Sequence, residues 1–434
     1  MRQIKIVKYL LSDFPSSQFE QGGRVVKLKL TIKWSLKKMY HALKRSLNAL
    51  WAIPAVLIIR IIRPWLLIRV GLFTSQRIGH FISDSHYQVV LNKIGELQSI
   101  DLWATGKVSN YAWYSIIKRQ LHVRKFFEQI YFWNLFIPGG KLHQVETLKN
   151  SRDTKGIFTK NVTKVLFTDR ENSFAINWLK EFGWNTDEPF ICLLNRDPSF
   201  LKYQIMSVMN NTQSLEFYDY HSYRNSSIFD YEKSILWLIE NGYWVIRMGK
   251  VADQKSKISD PKFIDYPFIK NKSDLLDVWL FSKCSGCIST GTGMDYLSWA
   301  QGIPSLVLNY LPLMNVMTSF DLITVPKNLY WKENKVELCL GDYLKHSYFK
   351  TSEYEANNII IQDLNADQLL KATKEFITKI ETKEESDLKD DLNQELFISK
   401  LRMQANFSDL HGYIHPRFKI GSSWLKSKNS NFFD

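Results

Sequence analysis

The sequence is short of several things that would have pointed to a function early. No Asp-X-Asp triplet occurs in its 434 residues, so a paired-carboxylate grip on a metal–diphosphate complex is not indicated and no metal site is expected. No Gly-Lys-Ser or Gly-Lys-Thr follows a glycine-rich turn, and no Gly-X-Gly-X-X-Gly run is present, which excludes the Walker loop and the dinucleotide fingerprint. Cysteine is scarce. Cys192, Cys284, Cys287 and Cys339 are too few for a disulfide framework, and the zinc-knuckle spacing of Cys284 and Cys287 lacks a second Cys or His pair. Buried structural thiols in a reducing cytoplasm are the expectation. Residues 1–11 have neither the apolar core nor the small-residue cleavage site of a secretory signal.

Negative charge is missing from one end. Residues 1–80 hold 15 Lys and Arg against only Asp13 and Glu20, and of the total charge of +14 only +1 falls to the rest. A nearly neutral globule with one basic arm is not a whole-surface nucleic-acid binder, and no nucleic-acid partner is expected.

Within the arm, Trp34, Leu36, Met39, Tyr40, Leu43 and Leu47 recur at helical spacing among lysines, and residues 49–59 are almost wholly apolar. Arg60 and Arg63-Pro64 cut that stretch to about half of the ~20 apolar residues a bilayer span needs. A basic amphipathic segment with tryptophans suits the interface of an anionic leaflet, so the arm is expected to lie peripherally on the inner face of the cell membrane. A true span, and a surface used against a partner or the protein's own core, stay open as alternatives.

Strand and helix patterns alternate through the remainder. Strands are predicted at 67–73, 100–104 and 165–167, with Ser83-Asp84-Ser85 capping the helix after the first and a helix at 172–182 closed by Gly183. Residues 151–156 (SRDTKG) read as a surface loop and 184–189 as a linker between domains. A second unit opens with strand 190–194 and the loop Asn195-Arg196-Asp197-Pro198-Ser199, followed by a polar aromatic segment at 218–226, helix 231–240 and strand 243–248. Ser273-Asp274 caps a helix running to Phe281, and the highly charged residues 381–395 read as a solvated helix or loop. Such alternation implies parallel, doubly wound sheets whose ligands bind beyond the strand C-termini.

Residues 286–304 (GCISTGTGMDYLSWAQGIP) are the most informative stretch. A strand ends at Ile288, the small-residue loop Ser289-Thr290-Gly291-Thr292-Gly293 follows, and a helical pattern runs from Met294 to Gly302 before a further strand at 303–308. Free amides at a helix start, glycines that admit close approach and three hydroxyls suit a phosphate group; a tight strand–helix connection is the plainer reading. Arg196 and Arg224, each also readable as a salt-bridge partner, would hold a diphosphate with the loop, since the guanidinium fork matches phosphate oxygens.

Ser222-Tyr223-Arg224-Asn225, residues 241–249 (NGYWVIRMG), 272–278 (KSDLLDV) and 287–293 (CISTGTG), with Arg77-Ile78-Gly79-His80 and His411-Gly412, together resemble a bacterial glycosyltransferase family of surface-polysaccharide and cell-envelope assembly. The resemblance covers about residues 67–425 and leaves the basic arm unexplained. It implies an α/β fold of two Rossmann-like domains (GT-B type) facing a cleft, with a basic helical N-terminal extension. The boundaries would be 1–66 for the extension, 67–184 for an acceptor domain, 185–380 for a nucleotide-sugar domain and 381–434 for a helical tail returning to the first domain.

The implied activity is transfer of a sugar from a nucleotide-sugar to a lipid-linked or surface glycan at the cytoplasmic membrane face, with no cofactor. Asn195, Arg196, Arg224, Asn225 and Ser289–Gly293 would hold the donor, Tyr266 would line the nucleobase, and Asp274 would contact ribose or merely cap its helix. Arg224 would also stabilise charge on the departing diphosphate. His80 or Asp84 would be the base in an inverting reaction, with a structural His and a capping Asp as the plainer readings. A pyruvyl-type transferase acting on polysaccharide, and a catalytically silent, membrane-recruited nucleotide- or glycan-binding protein, are the competing functions.

Overall fold

The computed structural model describes residues 24–95, 98–199, 222–382 and 392–433. The expectations placed on residues 1–11, 218–221 and 383–391 lie outside the described residues.

The chain is mixed α/β with parallel sheets. Strands β1 (Ile68–Phe73), β2 (Ile100–Thr105) and β3 (His122–Val123) pair in parallel in that order. A larger sheet contains β4 (Phe190–Leu194), β5 (Trp244–Arg247), β6 (Phe263–Asp265), β7 (Gly286–Ser289), β8 (Ser305–Tyr310), β9 (Leu322–Pro326) and β12 (Lys419–Ile420). Its order is β12-β9-β8-β7-β4-β5-β6, parallel throughout, while β10 (Asn328–Trp331) and β11 (Ile359–Gln362) form a separate antiparallel pair. Near-continuous apolar runs such as Phe190-Ile191-Cys192-Leu193, buried on both faces, are what a covered parallel sheet requires. The chain builds outward from β4 to β5 and β6, then returns to lay β7, β8 and β9 on the other side. The direction of winding therefore reverses between β4 and β7, where such sheets bind ligands.

The helices used below are α1 (Arg24–Ile61), α2 (Ile78–Lys93), α3 (Tyr111–Lys118), α4 (Phe127–Phe136), α5 (Asp169–Lys180), α6 (Glu232–Glu240), α7 (Asp274–Lys283) and α8 (Tyr296–Trp299). One core runs through both parallel sheets without a break, from Phe73 and Trp103 to Leu306 and Phe432. A smaller cluster of Val56, Ile59, Val70 and Ile130 pins α1 to β1 and α4. At the C-terminal end, β12 extends the larger sheet, while Lys149 pairs with Asp409 at 3.0 Å and the Tyr413 ring packs against Gly156.

Four local expectations are corrected. No strand forms at 165–167, because the Val165 amide donates to Gln301 Oε1 at 2.9 Å instead of to a ladder. Helix α2 starts at Ile78, so Ser83, Asp84 and Ser85 lie inside it and cap nothing. Helix α5 starts at Asp169, where Thr168 and Glu171 form a reciprocal capping box that the sequence displays as T-x-x-E. Residues 151–153 are buried, not a surface loop: Arg152 donates to the carbonyls of Val316, at 2.7 Å, and Asn315, and Asp153 accepts the Ile157 and Phe158 amides at 2.9 Å. A planar guanidinium can be buried when carbonyls satisfy its fork.

Candidate functional site

The reversal between β4 and β7 gathers most of the predicted donor residues. Thr290 donates its amide to Leu194 O at 3.2 Å and accepts the Arg196 amide on its hydroxyl at 3.1 Å, tying the two strand ends together. The Ser226 amide donates to Arg196 O at 2.9 Å, and Asn195 Nδ2 to Ser226 O at 3.3 Å, which folds the Ser222–Ser226 segment over those ends. From there the Arg224 guanidinium donates to Gly291 O, and Lys327 Nζ, at the end of β9, donates to Asn225 O at 2.7 Å. Asn195, Arg196, Arg224, Asn225 and Ser289–Gly293 thus form one polar patch. Within it, Asn225 Oδ1 and Thr292 Oγ1 are buried without a hydrogen-bond partner. Gly291 has φ +69 and lies against the Tyr310 ring, so only a residue without Cβ fits both its backbone and its space.

The loop differs from the expected cradle in one respect. The helix does not open at Met294 but spans only Tyr296–Trp299, and Asp295 turns back into the loop. Its Oδ2 accepts the Ser289 hydroxyl and the Thr292 amide, both at 2.7 Å, while Oδ1 has no partner. Asp295 is 0% exposed, and burial pushes its carboxyl up to about 7 against the lowering effect of these hydrogen bonds and of Arg224.

The smaller sheet meets this loop directly. A Cβ on Gly79 would stand 2.9 Å from Gly293 Cα, and one on Gly293 would stand 3.0 Å from Gly79 N. His80 follows, half-buried, with Nδ1 2.7 Å from Ser151 Oγ; burial and then Arg77 push its pKa down. Asp84 lies one helical turn deeper, 3% exposed, with Oδ1 unpartnered and its carboxyl raised to about 7 by burial, opposed by the Leu148 amide. His80 therefore stands beside the loop, whereas Asp84 is buried one turn further along α2.

Two expected donor residues stand elsewhere. Tyr266 is a core residue, 0% exposed, packed on Trp178 with its hydroxyl against the Ser273 main chain at 3.3 Å, and so lines no nucleobase. Ser273, not Asp274, caps α7, accepting the Leu276 amide at 3.2 Å. Asp274 Oδ2 instead accepts the Tyr111 amide at 2.7 Å, and its carbonyl accepts from Asn110 Nδ2 at 2.9 Å. Its carboxylate thus serves the start of α3 and ties the two sheets together.

Residues not singled out beforehand complete the floor. Arg247 on β5 donates to Asn195 Oδ1 at 3.0 Å, Gln254 O at 2.7 Å and Asp265 Oδ1 at 3.2 Å. Lys327 pairs with Asp363 at 2.6 Å. With Asn195, Asp197 and Asn225 these side chains line a cavity of about 540 Å³ beside the strand ends. Arg247 could have been found: a charged residue inside an apolar strand pattern needs a buried partner. Lys327 and Asp363 carry no such signal, since only the folded sheet brings them together.

No family model matches the chain, and no curated protein matches it. Among solved structures, an E. coli ADP-heptose LPS heptosyltransferase II is similar over 56% of this chain and 84% of that one, with 13% identity and a TM-score of 0.32. A likeness of that extent carries neither a fold family nor an activity over to this chain.

Proposed function

We propose that the chain is a GT-B-like glycosyltransferase that binds a nucleotide-sugar by its diphosphate at the β4–β7 strand ends. Its acceptor is a lipid-linked or surface glycan at the cytoplasmic face of the membrane. The observation that carries this reading is the contact of Gly79 with Gly293, which sets His80 beside a loop that binds the Arg196 amide at Thr290 and the Arg224 guanidinium at Gly291. In an inverting displacement the acceptor hydroxyl attacks the anomeric carbon, the bond from that carbon to the diphosphate oxygen breaks, and the nucleoside diphosphate leaves. His80, oriented by Ser151 and held neutral at pH 7, takes the hydroxyl proton; Asp84 is the deeper alternative. Arg196 and Arg224 stabilise the charge that builds on the leaving oxygen.

Hydrolysis and transfer with a nucleotide-sugar panel, alongside binding of nucleoside diphosphates, test this. Absence of turnover together with absence of binding would sink it. One observation favours a second reading, a membrane-recruited binding protein without turnover. The Thr292 amide, expected to face a phosphate, is already held by Asp295. Glycan binding without nucleotide binding would select that reading.

A further inference from the structure

We infer that α1 lies in the plane of an anionic bilayer without crossing it, and that α4 and Phe126 enter the same leaflet, so that the protein docks by a two-helix face. The inference rests on the membrane part of the proposed function.

Helix α1 is 38 residues long and contains nine Lys and Arg and no carboxylate. Its C-terminal half has two distinct faces. Ala52, Val56 and Ile59, spaced four and three apart, are buried, the latter two against Val70 and Ile130. Leu43, Leu47, Leu50, Leu57, Ile58 and Ile61 are exposed, Leu50 by 80%, and Trp65 just beyond is 82% exposed. The stripe continues onto a second element: Trp51 meets the Phe126 ring edge-on at 6.0 Å, Arg45 lies over Phe132 at 4.2 Å, and Phe126, Leu135, Phe136 and Leu142 are exposed nearby. Monomeric soluble proteins rarely leave a run of large apolar side chains like this in water, and such runs mark membrane or partner surfaces.

The segment Ala42–Ile61 is long and apolar enough to cross a membrane. Its other face, however, is committed to the globule, where Arg60 donates to Asn134 Oδ1 at 3.0 Å and to Ile137 O at 3.1 Å. Crossing would strip those contacts or drag β1 and its polar neighbours into hydrocarbon. Lying flat keeps the packed face on the protein and offers the apolar stripe to acyl chains. Charge selects the occupant: a second copy would bring another wholly cationic helix, whereas anionic headgroups complement it.

Flotation of the full chain with phosphatidylcholine vesicles, with and without about one-third phosphatidylglycerol, tests this. Binding is expected only with the anionic lipid. Leu50→Glu with Ile58→Glu should lower it at least about tenfold, and Phe126→Ser with Phe136→Ser about fivefold, with unchanged thermal melts. An environment-sensitive dye on Leu135→Cys should shift to the blue on vesicle addition. Dyes on Ser35→Cys and Arg63→Cys, exposed polar positions on either side of the apolar stripe, should both stay reachable by a quencher added outside. No binding by the unaltered chain overturns the membrane reading itself. Binding that is indifferent to Phe126 and Phe136, with no shift at position 135, overturns the two-helix face alone. Protection of one of positions 35 and 63 but not the other would mean that α1 spans.

Discussion

The Asp295 carboxylate accepts the Thr292 amide at 2.7 Å, so the loop that reads as an anion cradle already contains an anion of its own. Burial pushes that carboxyl up to about 7, and a diphosphate at this loop would meet a neutral acid below that pH and a like charge above it. Affinity for nucleotide-sugars should therefore fall as pH rises through about 7. Asp295→Asn should flatten the profile and bind roughly threefold to tenfold more tightly at about pH 8. Calorimetry across that range decides it; identical slopes in both proteins would remove Asp295 from the site.

Arg224 is half-buried and its visible partner is a carbonyl, so its loss should not unfold the chain. Arg224→Ala should weaken nucleoside diphosphate binding about tenfold or more, and Arg224→Lys should restore only part of it, because a point charge replaces a fork. Unchanged affinity in a protein with an unchanged melt would show that the guanidinium serves only Gly291.

Asp84 gives a test in stability. Its carboxyl is raised from 3.8 to about 7 on folding, so the folded state holds the proton more tightly than the unfolded one. The stability linked to that proton is complete below about pH 4, is lost as pH rises to about 7, and is flat above. Asp84→Asn lacks this loss, so its melting temperature should gain on the wild type between about pH 4 and 7. A gap that does not change with pH would mean that the carboxyl titrates normally. If Asp84 rather than His80 is the base, the same substitution abolishes turnover, whereas His80→Gln leaves it largely intact.

Gly79 and Gly293 leave no room for a methyl group. Gly79→Ala should cost about 1–3 kcal/mol, since the obstacle is backbone and cannot swing aside. Urea denaturation measures this, and the variant should lose transferase activity by more than its stability explains. Wild-type stability would show that the two loops separate readily in solution.

Strands β4, β5, β7 and β8 were legible because buried parallel strands are short apolar runs bounded by breakers, as at Pro189, Gly242, Gly286 and Pro304. The gathering of Asn195, Arg196 and Ser289–Gly293 followed from strand ends alone. What was not legible depended on partners distant in sequence. Asp295 looked like part of a helix because nothing local says that it turns back to Ser289. Tyr266 is placed at a nucleobase only by the resemblance, and Trp178, which buries it, lies 88 residues earlier in the chain. SRDTKG looked solvated because three of its six residues are charged, and its carbonyl acceptors, Asn315 and Val316, lie beyond the strands that separate them.

The uninterrupted core also bears on how a ligand would come and go. With Phe158 packed edge-on against Tyr296 and tilted against Phe320, and Arg152 fastened to residues 315–316, the described residues leave no oily seam along which the halves could part cheaply. The rim is fastened as well, since Tyr223 anchors the Ser222–Ser226 segment in the same core, 4% exposed and packed on Tyr354. A ligand would then enter a socket whose walls are already fixed, rather than be closed upon by a jaw.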